Sequence, residues 1–400
     1  MVSLKVISAG LIGSGSIEPW KILIIFFGSA LIATSADKSG IFDHISVAIL
    51  NKGRGRGTLL LLLTYCLSWS LSVFASNDVV ILTLTPIIFY FSRYSNINII
   101  PLLFAEFIAA NNGIFFITGN PVDTIIATSL HIDQLNYLRN TILPTLAISI
   151  TSFFLLYLYF RKTLTKKYKI ISLSKSVRNW TDAKLSLAML AAVMFFLLIS
   201  GLIKIELWII ILIGSSFFAI KDMALPFFYF HKLFEHAHGK FWRLHQTIIG
   251  MPWEILPFIL TMFILMESLA VHGFFNFIST WLSSLLTNNI LQSSLIFGLF
   301  SLITENIINN QPMAIMFSHI FSNPALQVSP QIFKAGLYAV VLSGNAGASL
   351  TMVGSLAGLM WYKILKNKGL TITYWQFFKV GIFVVLPALL ISFVVLAFTI

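Results

Sequence analysis

Pro19-Trp20-Lys21-Ile22-Leu23 returns as Pro252-Trp253-Glu254-Ile255-Leu256. At the same offset, Gly40-Ile41-Phe42-Asp43-His44-Ile45-Ser46 returns as Gly273-Phe274-Phe275-Asn276-Phe277-Ile278-Ser279. Nine of 28 aligned positions are identical without a gap, which marks the two segments as copies of one unit. Further on, Ile117-Thr118-Gly119-Asn120-Pro121 lines up more loosely with Met352-Val353-Gly354-Ser355-Leu356. The copies are set in strongly apolar sequence. Apolar types make up 58% of the 400 residues and charged types 10%. A soluble domain carries about 25% charged residues, so this chain is read as a polytopic membrane protein and not as a soluble enzyme. The apolar content also excludes a disordered chain, and a single Cys66 excludes a disulfide scaffold or a thiolate metal cluster.

The net charge of +12 sits in short basic stretches between the apolar runs: Lys52-Arg54-Arg56, Arg161 to Lys184, Lys221 to Arg243, and Lys363-Lys366-Lys368. Basic loops held on one side of a bilayer follow the positive-inside rule, so no nucleic acid is expected as a partner. The chain is placed in the inner (plasma) membrane with its main basic loops cytoplasmic. No signal-peptide cleavage pattern follows Met1-Val2-Ser3-Leu4-Lys5, and the first long span is expected to act as its own targeting signal. His231, His236, His238 and His245 fall in a basic loop without nearby carboxylates or thiols and are read as solvated, so no metal is expected. Gly53-Arg54-Gly55-Arg56-Gly57 lacks the Lys-Ser/Thr ending of a phosphate loop.

Uninterrupted spans are expected at 19–36, 58–76, 140–160, 185–201, 205–220, 252–270 and 376–398. Short interfacial helices are expected at 41–50 and 274–286. With the 51–57 loop inside, four crossings return the chain to the inside at 161–184, and two more leave 221–250 inside. The 19–36 and 252–270 copies then run in opposite directions. The expected fold is an all-α polytopic protein of two inverted-topology repeats with re-entrant hairpins and broken helices, about 10–11 spans. Its parts are a short apolar segment (1–18), a first repeat (19–160), a basic linker with two spans and a polar loop (161–251), and a second repeat (252–400).

Four stretches break the apolar runs: Ser76-Asn77-Asp78 to Thr83, Thr85 and Pro86; Asn111-Asn112-Gly113 to Thr118-Gly119-Asn120-Pro121 with Asp123; Glu305-Asn306 to Asn309-Asn310-Gln311-Pro312; and Ser343-Gly344-Asn345 to Ser349, Thr351, Gly354 and Ser355. Gly and Pro release backbone groups, which are tolerated within a bilayer only where they are buried in protein or line a cavity. Amide and hydroxyl side chains can then complete a site for an ion or a small oxygen-bearing solute. Small polar residues also glue helices together, and that bland reading competes for any single cluster. The candidate cargo residues are Asn77, Asn111, Asn112, Thr118, Asn120, Asn309, Asn310, Asn345, Ser349, Thr351 and Ser355. An intramembrane carboxyl group is costly and functional by default, and it can take up and release a proton over a cycle. Asp78 is the first candidate for that role, with Asp123 and Glu305 behind it. Glu106, Glu267 and Asp37-Lys38 rank lower, because pairing between helices accounts for them equally well.

Several of these stretches resemble arsenite permeases of the ArsB type, within the ArsB/NhaD branch of the ion-transporter superfamily. They are Asn51-Lys52-Gly53-Arg54-Gly55-Arg56, Ser76-Asn77-Asp78 with Leu84-Thr85-Pro86-Ile87, Pro252-Trp253, Asn309-Asn310-Gln311-Pro312 and Gly354-Ser355-Leu356-Ala357-Gly358-Leu359-Met360-Trp361. The likeness covers about residues 19 to 400. It implies two re-entrant hairpins, with Asn77 and Asp78 at the first and Asn309 and Asn310 at the second, faced by broken helices at 111–120 and 345–355. It also implies proton-coupled efflux of arsenite and antimonite by alternating access. Arsenite permeases often carry charged residues where Ala110, Asn345 and Ser349 stand here. A sodium/proton antiporter or a dicarboxylate-type anion permease of the same superfamily is the alternative. No cofactor is expected. Na+ as the coupling ion, a soluble ATPase subunit on the basic loops and a homodimer are left open by the sequence.

Overall fold

The computed structural model describes residues 4–13, 18–74, 76–95, 97–164, 180–233, 242–251, 253 and 255–400. His236, His238, Pro252, Glu254 and residues 165–179 of the basic linker lie outside the described residues. Within them, α1 is Leu4–Ile12, α2 Pro19–Lys38, α3 Ile41–Leu50, α4 Gly57–Phe74, α5 Asn77–Ser95, α6 Ile100–Asn111, α7 Pro121–Ser129 and α8 Gln134–Leu164. Then come α9 Trp180–Leu198, α10 Ser200–Ile203, α11 Leu207–Leu233 and α12 Trp242–Ile249. The chain closes with α13 Ile255–Val271, α14 Phe274–Leu285, α15 Ile290–Ile308, α16 Asn310–Phe321, α17 Pro330–Ala346, α18 Leu356–Asn367 and α19 Tyr374–Thr399.

The order of elements in α13 to α19 parallels that in α2 to α8. Each series runs from a long helix through a left-handed glycine, Gly40 (φ +80°) or Gly273 (φ +77°), into a short helix. Only a residue without Cβ takes that backbone cheaply, so the glycine is the local reason both copies turn at the same place. In the second copy the bend between the two helices is 73°. Two helical arms follow, then a helix interrupted by a 3-10 turn (Ile117–Gly119 or Gly347–Ser349), then a long closing helix. The packing repeats as well. α4 lies on α6 as α15 lies on α17, and the closing helices α8 and α19 pack along each other. The second arm of each pair reaches across to the other half, α16 to α7 and α5 to α18.

Six helices are long and apolar enough to cross a membrane by length and composition, among the described residues. The 20 residues of α2 rise about 30 Å at 1.5 Å each, the hydrocarbon thickness. The halves α6, α7, α16 and α18, of 12, 9, 12 and 12 residues, are each too short to do so alone. The outer belt is apolar, with Ile150, Phe154, Phe195, Phe217, Ile307 and Phe398 exposed. Lipid, not water, is the solvent for such a face.

Two packing groups are evident. α1, α2, α9, α11, α12 and α13 pack among themselves, and α4 to α8 pack with α15 to α19. They meet where α2 touches α5, α7 and the 117–119 turn, and where α13 touches α16.

One sequence expectation needs correction. The polar loop drawn from residue 221 is helical at its start, since α11 continues through Lys221 and Asp222 to Leu233. The reason is charge pairing. Lys221 Nζ lies 3.0 Å from Asp182 on α9 and 3.2 Å from Asp222, and Arg243 on α12 lies 2.7 Å from Asp182. Thr247 donates to Asp222 at 2.6 Å. Paired and hydrogen-bonded, these charges can be buried, so the helix does not end where the apolar run does.

Candidate functional site

The four breaks read from the sequence are breaks in the structure, and they fall in two clusters. In the first, Ser76 and Asn77 form the turn between α4 and α5, and Asn77 Nδ2 donates to Asn111 Oδ1 at 2.9 Å, at the end of α6. The chain then leaves the helix, and Asn120 caps α7 by accepting from the Val122 N–H at 3.1 Å. Thr124 donates to the Ile117 carbonyl at 2.8 Å and holds the 3-10 turn against α7.

In the second cluster, Asn309 sits between α15 and α16 with φ +81° and caps α16. Its Nδ2 donates to the Val353 carbonyl at 3.1 Å, and the Asn310 N–H donates to Gly354 at 3.0 Å. Asn310 Nδ2 reaches the Gly344 carbonyl at 3.3 Å on α17. Thr351 donates to Asn306 Oδ1 at 2.7 Å. Ser355 caps α18 by accepting from the Gly358 N–H. Asn120 and Ser355, aligned loosely in sequence, thus do the same job in the two halves. Glu305 lies against Gly347, where a Cβ would collide with its Oε1. Its Oε2 is buried without a hydrogen-bond partner.

The two clusters are stitched together. Asn345 Nδ2 on α17 donates to Asp123 Oδ1 on α7 at 2.6 Å. Both side chains are buried, and their sequence positions are 222 apart. Of the predicted cargo residues, Asn112 is turned elsewhere: its amide donates to Tyr65 Oη at 3.1 Å, and Tyr65 donates to the Ser149 carbonyl on α8. Asp78 stands in the first turn of α5, and its side chain lies outside the described residues.

Beside the first cluster is a small cavity of about 20 Å³, with room for about one water, lined by Phe26, Ser29, Thr34, Ser76, Thr118 and Thr124, among others. A second, also of about 20 Å³, shares Ser29, Ser76 and Thr118 and runs on to Leu190 of α9 and Ile211 of α11. No lysine or arginine lines either one. The Ser29 hydroxyl and Asn120 Nδ2 are buried with no hydrogen-bond partner. Unpaired buried donors are rare in native proteins. The helix N-termini of α5, α7, α16 and α18 all start at these breaks and add partial positive charge there.

The model of the Citrate transporter family (CitMHS) matches residues 1–336. The chain belongs to this family. It is 26% identical over 384 residues to an arsenical pump membrane protein of Escherichia coli, covering 94% of this chain and 86% of that one. It is 25% identical over 384 residues, with the same coverage, to an arsenical pump membrane protein of Yersinia enterocolitica. The crystal structure of the YdaH transporter of Alcanivorax borkumensis, described as having an unusual topology, matches with a TM-score of 0.60 at 14% identity, over 98% of this chain and 86% of that chain. That likeness concerns the fold alone. The resemblance to ArsB-type permeases read from the motifs is borne out, and the chain is a multi-pass membrane transporter, not an enzyme.

Sequence reasoning missed Ser29, Thr34 and Thr124 in this CitMHS chain. Ser29 lies in Gly28-Ser29-Ala30, which reads as ordinary small residues of an apolar helix. Only the packing of α2 against the 117–119 turn makes its hydroxyl a wall of the cavity.

Proposed function

We propose that this chain is a secondary transporter that carries arsenite or antimonite out of the cell in exchange for protons, by alternating access. The observation that carries this reading is the chemistry of the cavities: the hydroxyls of Ser29, Thr34, Ser76, Thr118 and Thr124 among apolar side chains, without a lysine or arginine. Arsenite at neutral pH is largely an uncharged trihydroxide. It needs hydrogen-bond donors and acceptors and no countercharge. A citrate-like polyanion would leave most of its charge uncompensated in such a site, at a large desolvation cost. The bacterial relatives, both arsenical pump membrane proteins, support the same cargo.

Alternating access is supported by the two packing groups, which meet where the cavities lie. The halves are read as inverted repeats at 19–160 and 252–400, joined by 161–251. The crossing count gives this sense whether the 57–95 pair spans twice or turns back, because both counts are even. Transporters of that architecture bind cargo near the midplane, at broken helices. Cargo would rest on Asn77, Asn111, Thr118 and Asn120 in one half, and Asn309, Asn310, Asn345, Ser349, Thr351 and Ser355 in the other. Asp78, Asp123 and Glu305 would carry protons. The basic loops would face the cytoplasm across the inner membrane.

The test is flux in proteoliposomes. Arsenite uptake into vesicles driven by an outward-directed proton gradient, unaffected by citrate or Na+, is the expected result. Gradient-driven citrate uptake with no arsenite flux would replace this reading by the anion-permease one. In an efflux-deficient host the protein should raise arsenite tolerance.

A further inference from the structure

Glu106 has no part in the reading above, although its carboxyl group is fully buried in the first half. It lies within α6 with no exposed surface. Its Oε1 accepts from Thr85 Oγ1 at 2.7 Å, on α5. Its backbone carbonyl accepts from Ser68 Oγ at 2.6 Å, on α4. The residue therefore ties both arms of the first helical pair to the broken helix. Its Oε2 has no hydrogen-bond partner. The indole N–H of Trp361, on α18 of the other half, faces the carboxyl but falls short of hydrogen-bond geometry with it. Phe104, Phe107 and Phe377 close around that indole, with ring centroids 5.0 to 5.8 Å away.

The groups acting on this carboxyl are Thr85 from α5 and Trp361 from α18. No charged or titratable side chain of α4, α8, α17 or α19 acts on it, among the described residues. A permanent carboxylate with no cation would be costly there, and a purely structural link to Thr85 could be made by glutamine. Neither cavity beside the first cluster reaches it, so the smallest cation is the one that fits. We propose that Glu106 is a proton-binding site of the transport cycle. The proton sits on Oε2 in the arrangement seen here. When α18 shifts against α5, the Trp361 N–H and the Thr85 hydroxyl both donate to the carboxylate, and the proton leaves to water on the side then open. The proton that binds is the proton released, and no bond other than O–H is made or broken.

This inference rests on the proton-exchange reading, and its test separates the two. Proteoliposomes would hold wild type, Glu106→Gln or Trp361→Phe. Arsenite exchange without a gradient, arsenite flux driven by a pH gradient, and protons moved per arsenite would be measured in each. Glu106→Gln keeps the shape and the Thr85 contact, so exchange should stay within about threefold of wild type while gradient-driven flux falls by about tenfold or more. Trp361→Phe keeps a ring in the aromatic cluster but removes the donor that favours the ionised form, so the pH profile of flux should move toward alkaline pH. Wild-type coupling that survives Glu106→Gln overturns the inference and leaves proton exchange standing. If Glu106→Gln also abolishes exchange, an unmoved profile in Trp361→Phe overturns it. Arsenite transport by wild type with no proton movement overturns the exchange reading itself.

Discussion

The bond between Asp123 and Asn345 carries the most direct test of how the two halves meet. At 2.6 Å between buried side chains it is a short contact, and a Cβ at Gly344 beside it would collide with Val122. Asn345→Leu removes the donor and strands a buried carboxyl oxygen. Asp123→Leu removes the acceptor and leaves the buried amide with its bond to the Val341 carbonyl alone. Each single change should cost about 2 kcal/mol, since an unsatisfied buried polar group costs about 1–3 kcal/mol. In the double variant both polar groups are gone and two leucines face each other. Its loss should be nearer 2 than 4 kcal/mol, a coupling of about 2 kcal/mol. Asp123 also sits in the first turn of α7, where an acid interacts with the helix dipole, but that contribution cancels in the cycle. Denaturant unfolding of the detergent-solubilised protein, followed by tryptophan fluorescence, reads all four stabilities. Single effects that add to within about 0.5 kcal/mol would mean the residues are not in contact, and the packing of α7 on α17 would be wrong.

Three further predictions concern other parts of the molecule. Lys221→Met removes the cation between Asp182 and Asp222, both buried, and should destabilise the protein by about 3–5 kcal/mol in the same unfolding assay, because two carboxylates then share only Arg243. Gly347→Ala sets a methyl group against Glu305 Oε1 and Leu302, so it should cost about 1–3 kcal/mol and lower gradient-driven arsenite flux, whereas wild-type flux and stability would remove the close approach from the argument. Glu206, in the loop before α11, is held below the ordinary carboxylate range first by its hydrogen bond with Lys21. A lowered value contributes stability above the unfolded carboxylate range and loses it as pH falls through and below that range. Because the Glu206 side chain is 56% exposed, solvent screening limits the pair, and Glu206→Gln should cost under about 1 kcal/mol at pH 7 and nothing at strongly acid pH.

What could be read before folding was whatever neighbouring residues decide. Glycine, proline and asparagine release the backbone wherever they stand, so Ser76-Asn77, Asn111 to Asn120, Asn309-Asn310 and Asn345 to Ser355 announced the breaks from local chemistry alone. The recurrence of Pro19-Trp20 as Pro252-Trp253 announced the repeat, and the matching glycines at 40 and 273 turn the chain in the same way in both copies. The extension of α11 past residue 220 was hidden because its charges are paid for by Asp182, 39 residues before Lys221, and by Arg243 on another helix.

The sequence by itself determined that this chain lives in a membrane and where its helices break, because hydropathy and backbone chemistry act within a few residues. Tertiary structure decided which breaks face each other, that Asn345 meets Asp123 while Asn112 turns to Tyr65, that Ser29 walls a cavity, and that Glu106 stands beside Trp361. Those pairings join residues tens to hundreds of positions apart. Only close packing of whole helices brings them within hydrogen-bond reach.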